Sequence, residues 1–250
     1  MTKITSELRQ IASEKTRVSM LRFYKTGNGD YAEADRFLGV SMPDIRKIAQ
    51  RHADADWQTV TRLMHSAWHE ERMCALVILG NRMKRLKRQK SPILSGFLSE
   101  KEAKTAREIA DFYLANTSFI NNWDLVDNSA PQILGAFLLN QPRDVLFRLA
   151  ESTDLWENRI AIVATLAFVR AGDLDDTFAI AARLLHHPHD LMHKANGWLL
   201  REAGKHDRNR LIAFIEAHPD MPRTTLRYAI ERFPKAERAF WLTKTKQSIS

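Results

Sequence analysis

Apolar residues recur every three or four positions along almost the whole chain, the spacing that lines up one face of an α-helix. From Leu155 to Arg170, Leu155, Ile162, Leu166 and Val169 define a stripe that widens to Ile160, Val163 and Phe168, which predicts a largely buried helix. The same periodicity predicts helices over 43–52, 57–66, 69–86, 100–116, 121–140, 174–187, 190–205, 208–218 and 223–233. No stretch alternates apolar and polar residues as a half-buried strand does. Short punctuators separate the segments: Met42-Pro43-Asp44, Asn140-Gln141-Pro142, Ala171-Gly172-Asp173, His187-Pro188-His189 and Pro219-Asp220-Met221-Pro222. Pro in a first turn and Gly after a last one are helix-boundary chemistry.

Short links imply antiparallel neighbours, and a long series of such pairs builds a bundle or a solenoid. Three segments share a layout in which charged residues open a helix that then turns apolar: HEERMCALVILG from His69, WENRIAIVATLAF from Trp156 and MHKANGWLLREAG from Met192. Arg72, Arg159 and Lys194 occupy corresponding places, and the last two lie 35 residues apart, near the period of paired-helix repeats. The pattern therefore favours an all-α fold, a HEAT-like α-α superhelix whose inner helices line a concave face. No boundary interrupts it, so residues 1–250 read as a single domain, with the extreme N-terminus and residues 244–250 expected to fray.

Composition adds a partner. The 250 residues carry 38 Lys and Arg against 30 Asp and Glu, a net +8 that points to an anionic ligand on a basic face. Nine Gly and eight Pro suit helices better than a turn-rich β design, and 44% hydrophobic residues supply a core and exclude general disorder. The lone Cys74 excludes an intramolecular disulfide framework and a Cys-rich zinc site, and its place in MCALVILG reads as a small buried hydrophobe. With a polar N-terminal stretch and no run of about 18 apolar residues, neither export nor membrane insertion is expected, and the cytoplasm is the natural compartment.

The most unusual stretch is Asn121-Asn122-Trp123-Asp124-Leu125-Val126-Asp127, where two carboxylates, two amides and a Trp interrupt an apolar run. Trp123 and Asp127 are four apart and share a helix face, so together they can touch one ligand. Equally, Trp123 can be core, with Asn121 or Asn122 as a cap and Asp124 in the first turn. Gly197 beside Trp198 suggests close approach by another backbone or by a ligand, with Lys194 and Arg201 a turn to either side. Arg159, at the mouth of an apolar helix, calls for a phosphate or for an acidic partner such as Glu157 or Asp154. From Arg82 to Lys90 six of nine residues are basic, either a phosphate contact or a solvated helix end. His189 with His193, and His65 with His69, have metal-like spacing but no third ligand, so no metal is expected. No phosphate-cradling Gly loop, dinucleotide fingerprint or nucleophile elbow is present, and no cofactor is expected.

The segments FLGV at Phe37 with the following PDIRKIA, WDLVD at Trp123, LWENRIAI at Leu155, KANGWLLRE at Lys194 and PRTTLRYAIERF at Pro222 together resemble the AlkD-type bacterial DNA alkylation repair glycosylases. These are HEAT-like superhelices that hydrolyse the N-glycosidic bond of N3- and N7-alkylated purines. Arg159 and Trp198 stand 39 residues apart, as the family pattern requires. The resemblance implies Asp127 as the catalytic carboxylate and Trp123 and Trp198 as aromatic walls beside the lesion nucleotide. It implies Arg159, Arg201 and Lys194 as DNA contacts. Phe23 stands where the family pattern has a Tyr, and Asn122 where some members have another Trp, departures that bear on lesion range and DNA grip.

The resemblance further implies a monofunctional enzyme acting as a monomer on alkylated double-stranded DNA in the bacterial cytoplasm, without an obligate protein partner and without a pocket for a flipped base. Two other uses of a helical solenoid stay open on sequence alone. One is a non-catalytic module for distorted DNA or RNA, and the other is a protein-interaction scaffold.

Overall fold

The computed structural model describes residues 1–33, 35–88 and 99–247. The chain forms two compact units, Met1–Phe137 and Leu138–Ser250. Both are helical, and among the described residues the extended pairing is an isolated bridge between Arg36 and Trp68.

The first unit holds α1 (Lys3–Gln10), α2 (Glu14–Phe23), α3 (Met42–Arg51), α4 (Trp57–Met64), α5 (His69–Arg88), α6 (Glu100–Leu114) and α7 (Trp123–Ser129). Their starts are written locally. Thr2, Ser13, Ser41, Asp56 and Ser99 each accept a backbone N–H from the first turn, and Ser99 with Glu102 forms a reciprocal capping box. Each such cap is worth about 1 kcal/mol. The expected frayed N-terminus is instead α1, because Ile4 and Leu8 are buried and tie it to the body. Helix α5 is the axis of the unit, packing on α3, α4, α6 and α7 with Met73, Cys74, Leu76, Ile78 and Leu79 fully inside.

The helix expected over 121–140 is not continuous. Pro131 has no N–H to give the Asp127 carbonyl and its ring crowds that turn. After α7 the chain therefore widens into a π-helical turn, Pro131–Gly135, where Gly135 N–H reaches Ala130 O at 2.8 Å, before α8 (Ala136–Leu138) resumes.

The FLGV loop before α3 is closed by a buried carboxylate. Glu70 on α5 accepts the backbone N–H groups of Leu38, Gly39 and Val40 at 2.9, 2.7 and 3.2 Å. Gly39 has φ +90°, and a Cβ there would lie 2.7 Å from Arg17 N and closer still to Ser13 O. Only glycine meets both demands.

The second unit holds α9 (Asp144–Ala150), α10 (Leu155–Ala164), α11 (Leu166–Arg170), α12 (Asp175–Arg183), α13 (Asp190–Gly204), α14 (Arg208–Ala217), α15 (Arg223–Ala229) and α16 (Lys235–Gln247). The helix expected over 155–170 breaks at Thr165, whose hydroxyl donates back to Ile162 O at 2.6 Å. Helix α13 packs on α10, α12, α14 and α15, and α10 on α9, so the apolar run Ile160–Ala164 is wholly buried. The C-terminal segment expected to fray from Lys244 is helical as far as Gln247, and residues 248–250 lie outside the described ones. Among the described residues no helix is long and apolar enough to cross a membrane.

Candidate functional site

Trp123 opens α7, and Asn122 caps it by accepting Trp123 N–H at 2.8 Å, with Asp124 in the first turn. The capping role expected of this asparagine pair is thus filled, but Trp123 is half-buried rather than core. Its indole stacks on Tyr24, with centroids 5.6 Å apart and planes at 28°, and packs edge-to-face with Phe23 at 5.6 Å. Phe23, the last residue of α2, is 64% exposed. One turn along α7 from Trp123, Asp127 is also half-buried, and its charge adds to the burial that pushes the Tyr113 phenol above its ordinary range. The Tyr113 hydroxyl meets Ser129 Oγ at 3.0 Å.

Beneath this face lies a buried polar network. Asp124 Oδ2 accepts from the Tyr24 hydroxyl at 2.7 Å and sits 2.9 Å from His69 Nε2, while its Oδ1 accepts Leu125 N–H at 2.8 Å. On the other side of the ring, His69 Nδ1 is 3.2 Å from Asp35 Oδ2. Asp35 also takes a bond from Asn122 Nδ2 at 2.8 Å and is paired with Arg72, which reaches on to Asn121 Oδ1 at 3.1 Å and Ser66 O at 2.9 Å.

Burial alone would lower the His69 pKa, yet the charges and hydrogen bonds of Asp124 and Asp35 raise it to about 9, so the ring is a cation at neutral pH and donates from both nitrogens. Burial alone would raise the Asp35 carboxyl, but the His69 bond, the Arg72 charge and the Asn122 amide hold it below its usual range. Burial and Asp124 together push the Tyr24 phenol well up, so it stays a donor. Sequence reading passes over Tyr24 and Asp35, weighs His69 only for its metal-like spacing with His65, and places Asp124 only as a first-turn acid. The signal available was HEER, four polar residues that open a helix whose next turns are apolar, and its partners are remote in the chain.

In the second unit Trp198 is half-buried on α13. Gly197 beside it answers to backbone, since a Cβ there would lie 2.5 Å from Thr225 O on α15 and closer to Tyr228 Cβ. Arg159 is 5% exposed and its Nη1 donates to the Leu191 carbonyl at 2.7 Å, in the first turn of α13. Asp154, offered as its acidic partner, caps α10 through Trp156 and Glu157 N–H. Lys194 pairs with Asp190 at 2.7 Å, and Arg201 pairs with Glu231 and, at 3.2 Å, with Glu202. Both cations are therefore held by carboxylates of their own unit.

Several other candidate side chains have partners within the fold. Arg82 donates to Ala53 O at 3.0 Å and to Ala55 O, and Arg85 pairs with Asp54 at 3.0 Å; Gln89 and Lys90 at the end of the basic run lie outside the described residues. His189 caps α13 by accepting Leu191 N–H at 3.1 Å, and His187 Nδ1 accepts His189 N–H at 3.0 Å. Cys74 is fully buried and its thiol is pushed up to about 12 by burial and by Glu7 and Glu71, which leaves no nucleophile. Among the described residues no group of three or more His, Cys, Asp or Glu is arranged to hold a metal.

The family model described as DNA alkylation repair enzyme matches residues 4–233. The chain belongs to the DNA alkylation repair enzyme family. A solved structure titled predicted DNA alkylation repair enzyme, from Enterococcus faecalis, is similar over 90% of this chain and 97% of its own, with a TM-score of 0.64 at 13% identity. At that identity the likeness is one of fold. No curated protein matches. Membership of the DNA alkylation repair family implies a DNA substrate, which accords with the +8 charge.

Proposed function

We propose that this protein is a monofunctional DNA glycosylase that hydrolyses the N-glycosidic bond of cationic N3- and N7-alkylated purines, such as 3-methyladenine and 7-methylguanine. The observation that carries this reading is the face of α7, where Trp123 and Asp127 are half-buried one turn apart and exposed Phe23 packs edge-to-face with the indole. Successive helix pairs, such as α4 with α5 and α9 with α10, are read as HEAT-like repeats that present basic side chains to duplex DNA.

Alkylation makes the purine a cation, so it departs as a neutral base with the bonding electron pair and needs no protonation. Charge then builds on the sugar, where a carboxylate stabilises oxocarbenium character and accepts a proton from the water that attacks C1′. Asp127 takes that role. Trp123 offers a π face to a cationic nucleotide, an attraction of about 0.5 to 2 kcal/mol, and Trp198, in the second unit, is assigned to the DNA by the family resemblance. Arg159, Arg201, Lys194 and Phe23 contact the DNA. Arg201 and Lys194 do so by exchanging carboxylate partners for phosphate, which makes binding salt-dependent. No pocket for a flipped base is invoked.

The test is single-turnover release of 7-methylguanine from duplex DNA. Asp127→Asn is expected to lose at least about 10²-fold in rate, as loss of a charge-stabilising group does, with duplex affinity kept, and borohydride is expected to trap no adduct. An unchanged rate in that variant overturns the assignment.

A further inference from the structure

The contacts around Trp123 close into a circuit. Its backbone N–H is held by Asn122 Oδ1, and the Nδ2 of the same amide donates to Asp35. Asp35 meets His69, His69 meets Asp124, and Asp124 accepts the Tyr24 hydroxyl at 2.7 Å. The Tyr24 ring returns to the indole, sandwiched between Trp123 and the buried Phe37, which it stacks on at 5.0 Å and 15°. Backbone and ring of one half-exposed aromatic are thus fixed by a single buried network that spans α5, α7 and the segment after α2.

A simple structural cluster would not need Tyr24. Asp124 already has the His69 ring and the Leu125 N–H, and a Phe would fill the stack with Phe37 equally well. What the hydroxyl adds is rotational definition. A ring held only by stacking slides and tilts at little cost, whereas a short hydrogen bond to a buried carboxylate oxygen is directional. Tyr24 has that bond and lies face to face with Trp123, so its plane is transmitted to the indole.

We propose that Tyr24 is a positioning residue that sets the plane of the Trp123 indole through its hydroxyl bond to Asp124. The consequence for catalysis rests on the reading of Trp123 as a wall beside the lesion. A tilted indole still lets duplex DNA bind but presents its π face poorly to the charged nucleotide.

The experiment labels the six tryptophans of the full chain with 5-fluorotryptophan and identifies the Trp123 resonance from Trp123→Phe. Tyr24→Phe, which keeps the ring, is expected to shift or broaden the Trp123 ¹⁹F signal and leave the other five in place. With methylated duplex, the single-turnover rate is expected to fall about 10-fold, in line with small misplacements of catalytic groups, at a Kd within twofold of wild type. In the Trp123→Phe background the same change is expected to have no further effect on rate, because Tyr24 acts through the indole. An unmoved Trp123 signal overturns the proposal, as does an additive rate loss in the double variant. If all six signals move in Tyr24→Phe, Asp124→Asn, which weakens the acceptor, is read in the same way and decides. Wild-type protein that releases no base defeats the glycosylase reading instead, and the fluorine measurement still judges the role of Tyr24.

Discussion

Trp123 on α7 rests against Tyr24, whose hydroxyl belongs to a chain of buried hydrogen-bonded side chains, whereas Trp198 on α13 follows a glycine at which the backbone of α15 lies in contact. The first arrangement is electrostatic and directional. It depends on His69 being charged and on each carboxylate having its donor. The second is steric and depends on the absence of one methyl group. The two regions show that an aromatic surface can be set by charge or by volume, and that the choice fixes which perturbations reach it.

The largest expected effect on stability comes from removing the cation between the carboxylates. His69→Ala leaves Asp35 and Asp124 short of a buried partner, a change that costs about 3–5 kcal/mol in comparable buried pairs. Urea unfolding measures it, and a loss below about 1 kcal/mol would show that Arg72 and Tyr24 suffice. The same ring makes the first unit pH-sensitive. Its folded pKa, about 9, lies above the ordinary 6.5, so its contribution is complete below about pH 6.5 and is lost as pH rises through about 9. Unfolding free energy of the wild type should fall across that window, and the fall should vanish in His69→Ala.

Gly197→Ala comes next, at about 1–3 kcal/mol for a Cβ forced against α15. Its penalty should be equal at pH 6 and pH 9, since backbone and a Tyr Cβ are what the methyl meets. A pH-dependent penalty would break the contrast between the two regions. Smallest is Phe23→Ala. The ring is largely exposed, so thermal unfolding should shift by no more than about 0.5 kcal/mol. Duplex affinity, read by fluorescence anisotropy, should nonetheless weaken a few-fold if Phe23 meets DNA.

Much of the helical layout was legible because its causes are local. Ser41, Asp56, Ser99 and Asp154 announce helix starts at the distance of one turn, and the predicted segments over 43–52, 57–66, 190–205 and 208–218 overlay α3, α4, α13 and α14. Helices α1, α2 and α16 are rich in polar and charged residues and α9 is only two turns long, so none of the four carries a periodic stripe long enough to predict it. In the candidate site, Trp123 and Asp127 could be paired from their spacing alone. The network beneath them could not, since Tyr24 and Asp124 are 100 positions apart and His69 and Asp35 are 34 apart.

Arg72, Arg159 and Lys194 state the division most clearly. Their corresponding places in three charged-then-apolar helices are a property of the chain, because helical periodicity acts over three or four residues. Their fates differ: Arg72 pairs with buried Asp35, Arg159 donates to the Leu191 carbonyl, and Lys194 pairs one turn back with Asp190. Sequence by itself determined that the protein is helical, where most helices start and stop, and which family motifs it carries. Tertiary structure alone decided which charges are sealed inside, since a buried guanidinium or imidazolium must find its acceptor in space, and the folded packing brings together residues that chain distance keeps apart.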